Sequence, residues 1–185
     1  GVAFREQAET FARLGRRVDV ICRTTDRPPG IHCANGVQVH VVEPSPTPKA
    51  RVLIDRLRLA ALIRRICTKP SDVVITAEYA GPFLVKAFPN PLVVQLEGSM
   101  TVSAMEQQRP VGRVARFFER RTVDLADAVA AVSRFGAQVT LSTLGARPRD
   151  VHVFPNSVNA ARFQPAPDEI DASRMLFVGK LNRLK

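Results

Sequence analysis

PLVVQLEG, residues 91–98, decides how the rest of the chain is read. Five residues of it, Leu92 to Leu96, are apolar except for Gln95, and Gly98 ends the run. A strand with one face in water alternates polar and apolar residues; one without alternation is buried on both faces. Two neighbours have the same character: DVVITAE (72–78) on one side and AVAAVS (128–133) on the other. DVHVFPN (150–156) follows as another strand. Helical segments separate them, AGPFLVKAF (80–88) and VGRVARFFERRTVDLAD (111–127), and RFGAQVTLSTLG (134–145) is a further helix ended by Gly145. Buried strands separated by helices make a parallel sheet covered on both faces, a doubly wound α/β domain.

The pattern extends upstream. GVAFREQAETFARLG (1–15) reads as a helix: Phe4, Ala8 and Phe11 share a face flanked by Leu14, with Arg5, Glu6, Glu9 and Arg13 opposite and Gly15 as the C-cap. RVDVIC (17–22) and GVQVHVVE (36–43) read as strands, PSPTP (44–48) breaks the chain, and residues 49–68 form a long helix. Within 111–127, Val111, Val114, Phe118 and Leu125 are expected on one face and Arg113, Arg116, Arg120 and Asp124 on the other. A domain of this kind usually opens with a central strand feeding a glycine-rich turn. The first helix starts at once here, so that opening strand is expected to lie ahead of Gly1.

Composition narrows the classes of function. The 185 residues are 45% hydrophobic, enough for one substantial core. No apolar stretch reaches the roughly 20 residues of a membrane-crossing helix. The net charge is +10, and residues 51–70 carry six basic side chains against the single acid Asp55. Such a surface favours anionic partners. Nucleic acid is disfavoured, because no aromatic-plus-basic strand or recognition-helix pattern accompanies the charge. The three cysteines, Cys22, Cys33 and Cys67, fit no zinc spacing, and His32-Cys33 lacks further ligands nearby. Cys22 and Cys67 are expected as small core residues in a reducing, cytoplasmic setting.

In an open parallel sheet, ligands bind at the carboxyl ends of the strands. Those ends carry Glu78 and Tyr79, then Glu97 and Gly98, then Ser133 and Arg134, then Pro155 and Asn156. Gly1, ahead of the first helix, is placed beside them to offer backbone N–H groups to an anion. Each has an ordinary explanation as well. Glu78 and Glu97 read equally as loop carboxylates, Ser133 as an N-cap and Asn156 as a turn residue. There is no G-x-S-x-G elbow, H-E-x-x-H or G-x-x-x-x-G-K-[ST] loop, and His40 and His152 lie inside strands. A hydrolase triad is therefore disfavoured.

The order of these segments resembles family-4 retaining glycosyltransferases. GVAFREQAETFARLGRRVDVICR is similar to their first helix and strand, FFERRTVDLADAVAAVS to their "ER....ADAVVAVS", VHVFPNSVNAARFQP to their "V.VIPNGVD...F.P", and MLFVGKLNRLK to their "LLFVGRL...KG". The resemblance implies a GT-B architecture of two Rossmann-like domains. Residues 1–156 would be the acceptor-side domain, 157–173 the inter-domain segment, and 174–185 the first strand and loop of a donor-binding domain. It implies transfer of a sugar from a nucleotide-sugar donor to an acceptor with retention, without metal or other cofactor, in the manner of cell-envelope polysaccharide synthesis. Lys180 and Lys185 match the family's basic pair at the donor diphosphate, where cations stabilise developing charge. Glu97 stands where the family often has His, and Ser157 and Asn159 replace the Gly and Asp of PNGVD. The E-x7-E motif of the family falls beyond Lys185, so residues 1–185 alone are expected to be inactive.

Two other readings stay open. Arg51, Arg58 and Arg65, at steps of seven on the 49–69 helix, suggest a basic module docking on anionic membrane surfaces, although Leu53, Leu57, Ala60 and Ile63 argue for a packed helix with a solvated stripe. A GT-B-type sugar-nucleotide epimerase shares the two-domain logic.

Overall fold

In chain order, the elements of the computed structural model are α1 (Val2–Arg13), β1 (Val18–Arg23), β2 (Gly30–Ala34), β3 (Val37–Val42), α2 (Arg51–Ile66), β4 (Val74–Ala77), β5 (Leu92–Leu96), α3 (Met100–Glu106), α4 (Arg113–Asp124), β6 (Ala128–Ala131), α5 (Arg134–Leu144) and β7 (Val151–Val153). The structure describes residues 2–23, 27–46, 51–79 and 88–156. Gly1, Lys180, Lys185, the 80–87 part of the expected helix and the expected strand at 175–179 lie outside these.

The strands without alternation pair as expected. β4, β5, β6 and β7 form a parallel four-stranded sheet in that order. Leu92, Val94 and Val129 are fully enclosed at its centre, and Val123 and Leu144 cover it from α4 and α5. The remaining strands form a second sheet, β1-β3-β2, in which β1 runs parallel to β3. Ile21 of β1 and Ala60 of α2 pack against the core cluster, so the two sheets share it. Among the described residues β1 and β4 do not pair with each other, so each keeps one unpaired edge.

Several details correct the sequence reading. β2 was not expected; it pairs antiparallel with β3 through a two-residue turn at Asn35 (φ 52°) and Gly36 (φ 79°). Asn-Gly between two strands favours this left-handed turn. α3 was also not expected. Its start is fixed by Ser99, whose Oγ accepts from the Val102 N–H. On α4, Arg113, Arg116, Arg120 and Asp124 are exposed as expected, but so is Val114; Glu119, Thr122 and Val123 are buried and Phe118 is half-buried. On α2, Leu57 is exposed and Asp55 is buried. Leu14 is likewise exposed, and Cys22 and Cys67 are only half-buried.

Gly145 ends α5 in the left-handed region at φ 67°, with its N–H returned to Leu141 and Ser142 carbonyls. A Cβ there meets only the tip of Arg120 at 3.8 Å, so the cost of a side chain is conformational. Gly145→Ala should lower folding stability by about 1 kcal/mol, read from the urea midpoint; an unchanged midpoint contradicts it.

Candidate functional site

The sheet register fixes where the strand-end residues fall. Ala77 pairs with Gln95, Gln95 with Ala130, and Ala130 with His152, so the four strands end in one row. The residues that follow form one rim: Glu78 and Tyr79, Glu97 to Thr101, Ser133 and Arg134, then Phe154 to Asn156.

The centre of that rim is the turn from β5 into α3. It is held from inside by two carboxyl groups that are themselves withdrawn from water. Glu78 is fully buried, and its two oxygens accept from the backbone N–H of Gly98 at 2.8 Å and of Glu97 at 3.1 Å. Glu119, 2% exposed, reaches across from α4. Its oxygens accept from Met100 N at 2.6 Å, Thr101 N at 3.1 Å and Ser99 Oγ at 2.9 Å. Free N–H groups at a helix start need acceptors, and here a side chain from another helix supplies them. Glu97 is aimed by Gln95, whose Nε2 donates to its Oε1.

Burial pushes the Glu78 pKa up from its ordinary value of 4.5. Hydrogen bonds from the N–H groups of Gly98, Glu97 and Glu78 itself pull the other way, while the nearby Glu119 charge adds to the rise. Because the folded pKa lies above the unfolded one, the native state keeps a proton that the unfolded chain releases between the two values. Stability therefore falls as pH rises through that window. Urea midpoints of Glu78→Gln should lack this acid-to-neutral fall, whereas parallel profiles for wild type and variant would count against it. Tyr79, 40% exposed, has its pKa raised by partial burial and then by the charges of Glu78 and Glu97.

The structure thus brings Glu78, Glu97 and Gly98 into direct contact and sets Tyr79 within their field. Ser133 is the N-cap of α5, accepting from Gly136 N at 3.0 Å, which is its ordinary reading. Arg134 and Asn156 are exposed on the rim, without described contact to the Glu78 cluster. His40 bonds Asp19 and His152 bonds Asp150, and no described group of three His, Cys, Asp or Glu could hold a metal ion. No described helix is long and apolar enough to cross a membrane.

Sequence reasoning missed Glu119. The signal was present: it falls on the helical stripe between Phe118 and Thr122, where an acid is out of place unless it serves donors.

The sequence model described as Glycosyltransferase Family 4 matches residues 1–162. No curated protein matches the chain. Among solved structures, sucrose-phosphate synthase from Thermosynechococcus elongatus is similar at a TM-score of 0.69 and 16% identity, over 89% of this chain and 44% of that one. At that identity the likeness is one of fold, a parallel sheet flanked by helices like the Rossmann-like domain of a GT-B enzyme. The chain spans less than half the length of that structure.

Proposed function

This chain belongs to glycosyltransferase family 4, and we propose that it forms the acceptor-side portion of a retaining enzyme that moves a sugar from a nucleotide donor to an acceptor hydroxyl. The observation that carries this reading is the turn Glu97–Thr101, set at the carboxyl end of β5 and fixed by Glu78 and Glu119. A rigid turn beside a cleft positions a reacting group without reorganisation during the reaction.

In the transfer, the bond between the anomeric carbon and the diphosphate oxygen breaks, and its electron pair leaves with the diphosphate. The acceptor oxygen bonds to the same carbon and its proton passes to the departing diphosphate oxygen. Glu97, held by Gln95 beside Gly98, is the side chain of this turn assigned to the donor sugar. Gly98 lets the sugar approach the backbone, since nothing lies within 4 Å of a Cβ placed there. Tyr79, Ser133, Arg134 and Asn156 line the acceptor side. Lys180 and Lys185 are assigned to the leaving diphosphate by their match to the family pattern, and Gly1 by its place ahead of the first helix, where backbone N–H groups favour an anion. The reaction is proposed to need no metal.

The test is a transfer assay on the full-length protein with a panel of nucleotide sugars, reading product and its anomeric configuration. Retained configuration, with activity lost in Glu97→Ala while the fold is kept, supports the proposal. Inversion, or transfer indifferent to Glu97→Ala, overturns it. Residues 1–185 alone should turn over no nucleotide sugar.

A further inference from the structure

At the carboxyl ends of β1 and β3, to one side of the turn just described, two arginines stand together. Arg23 is the last residue of β1, and its Nη1 donates to Asp55 Oδ2 at 2.8 Å. Asp55, 1% exposed on α2, accepts with its other oxygen from Ser45 N at 2.8 Å, just beyond β3. The next residue, Arg56, lays its guanidinium over the Phe118 ring, 4.2 Å from the centroid. Phe118 immediately precedes Glu119, so this site and the rim turn are tied to the same helix.

Arg56 differs from every ion-paired arginine in the described chain. Its Nη1 is enclosed and has no hydrogen-bond acceptor. Its guanidinium feels burial first and then the charge of Arg23, both of which lower its pKa. Asp55 is already committed to Arg23 and Ser45. Among the described residues, Arg23 thus has its carboxylate in Asp55, whereas the Nη1 of Arg56 has no acceptor. An enclosed donor without an acceptor marks a place where a water, ion or ligand oxygen belongs. The guanidinium is planar, and Phe118 fixes its plane, so it is preorganised for a charged oxygen.

We propose that Arg56 and Arg23 form a subsite for an oxyanion carried by the acceptor, a phosphate or a carboxylate. The acceptor assignment rests on the transferase reading, because the pair lies at the strand ends of the acceptor side. The subsite itself does not, because anion binding is measurable without turnover. An acceptor anchored here by its anionic group would extend along the carboxyl edge toward Glu97–Thr101. Uncharged acceptors would leave Arg56 unpaired and be bound less well.

The experiment titrates the protein with inorganic phosphate, and separately with acetate, at constant ionic strength. It follows the arginine side-chain Nε–H signals by NMR. Both anions, or one, should move the Arg56 and Arg23 signals in a saturable way. A larger response to phosphate identifies a phosphorylated acceptor, and a larger response to acetate identifies a carboxylated one. Arg56→Gln should weaken binding by about tenfold or more, while Arg58→Gln, on the exposed side of the same helix, should leave it unchanged. Signals unmoved by either anion overturn the proposal, as does equal weakening by Arg58→Gln. The wild-type titration stands even where Arg56→Gln fails to fold. Failed anion binding leaves the transferase reading in place, and failed transfer leaves the anion subsite in place.

Discussion

Replacing Glu119 by alanine is expected to destabilise the fold by about 3 kcal/mol, seen as a lower urea midpoint. The variant leaves Met100 N, Thr101 N and Ser99 Oγ without their acceptor inside the protein. A buried donor left unsatisfied costs about 1–3 kcal/mol. The sum is reduced because a carboxyl group no longer has to be held away from water. Glu119→Gln keeps the volume but presents an amide NH2 to one of the donors, so its loss should fall between wild type and alanine. If Glu119→Ala costs under about 1 kcal/mol, the carboxyl group is not what holds the start of α3.

The second large effect is expected at Asp55. In Asp55→Ala, Arg23 loses its ion pair and Ser45 N loses its side-chain acceptor. Arg23 is nearly half exposed and will be solvated, which lowers the cost of the broken pair. Ser45, 2% exposed, has less recourse to water. The net expectation is a loss of about 2–3 kcal/mol, or about 5–10 °C in Tm for a domain of this size. Arg23, which already acts on Arg56 through its charge, would then repel it without its own carboxylate partner. The deficit should narrow as salt rises, because exposed charge is screened. A salt-independent loss would mean that the Ser45 bond alone is responsible.

Where the sequence was legible, a repeating pattern made it so. Leu92–Leu96 and Ala128–Ala131 are apolar without alternation, and only burial on both faces of a parallel sheet explains that. Gly145 was legible as a C-cap because a left-handed residue is needed there. β2 was not, since Gly30–Ala34 is exposed at nearly every position and lacks an apolar period; Asn35-Gly36 was its one signal. On α4 the exposed face of Arg113, Arg116, Arg120 and Asp124 was legible, but Val114 is exposed and Glu119 went unread, because the helix buries that acid to meet donors at the start of α3. Periodicity reports apolar burial and says nothing of buried hydrogen-bond acceptors.

The candidate site divides the same way. The rim was legible, because strand ends can be read off the chain: Glu78, Glu97 and Gly98 do meet. Their geometry was not. Glu78 is an interior acceptor for the turn and not a surface carboxylate, a distinction that depends on a contact 20 residues away in sequence. Arg56 was one of many arginines in a basic segment. Only packing against Phe118 and the absence of an acceptor at Nη1 set it apart.

The most direct measurement of the central claim is residue-resolved amide hydrogen exchange at Gly98, Met100 and Thr101. If Glu78 and Glu119 hold the turn from within, all three amides exchange slowly in the wild type. Glu119→Ala should then release Met100 and Thr101 while Gly98, bonded to Glu78, stays protected. Exchange of all three at unprotected rates in the wild type, or uniform loss of protection in the variant, would contradict the account.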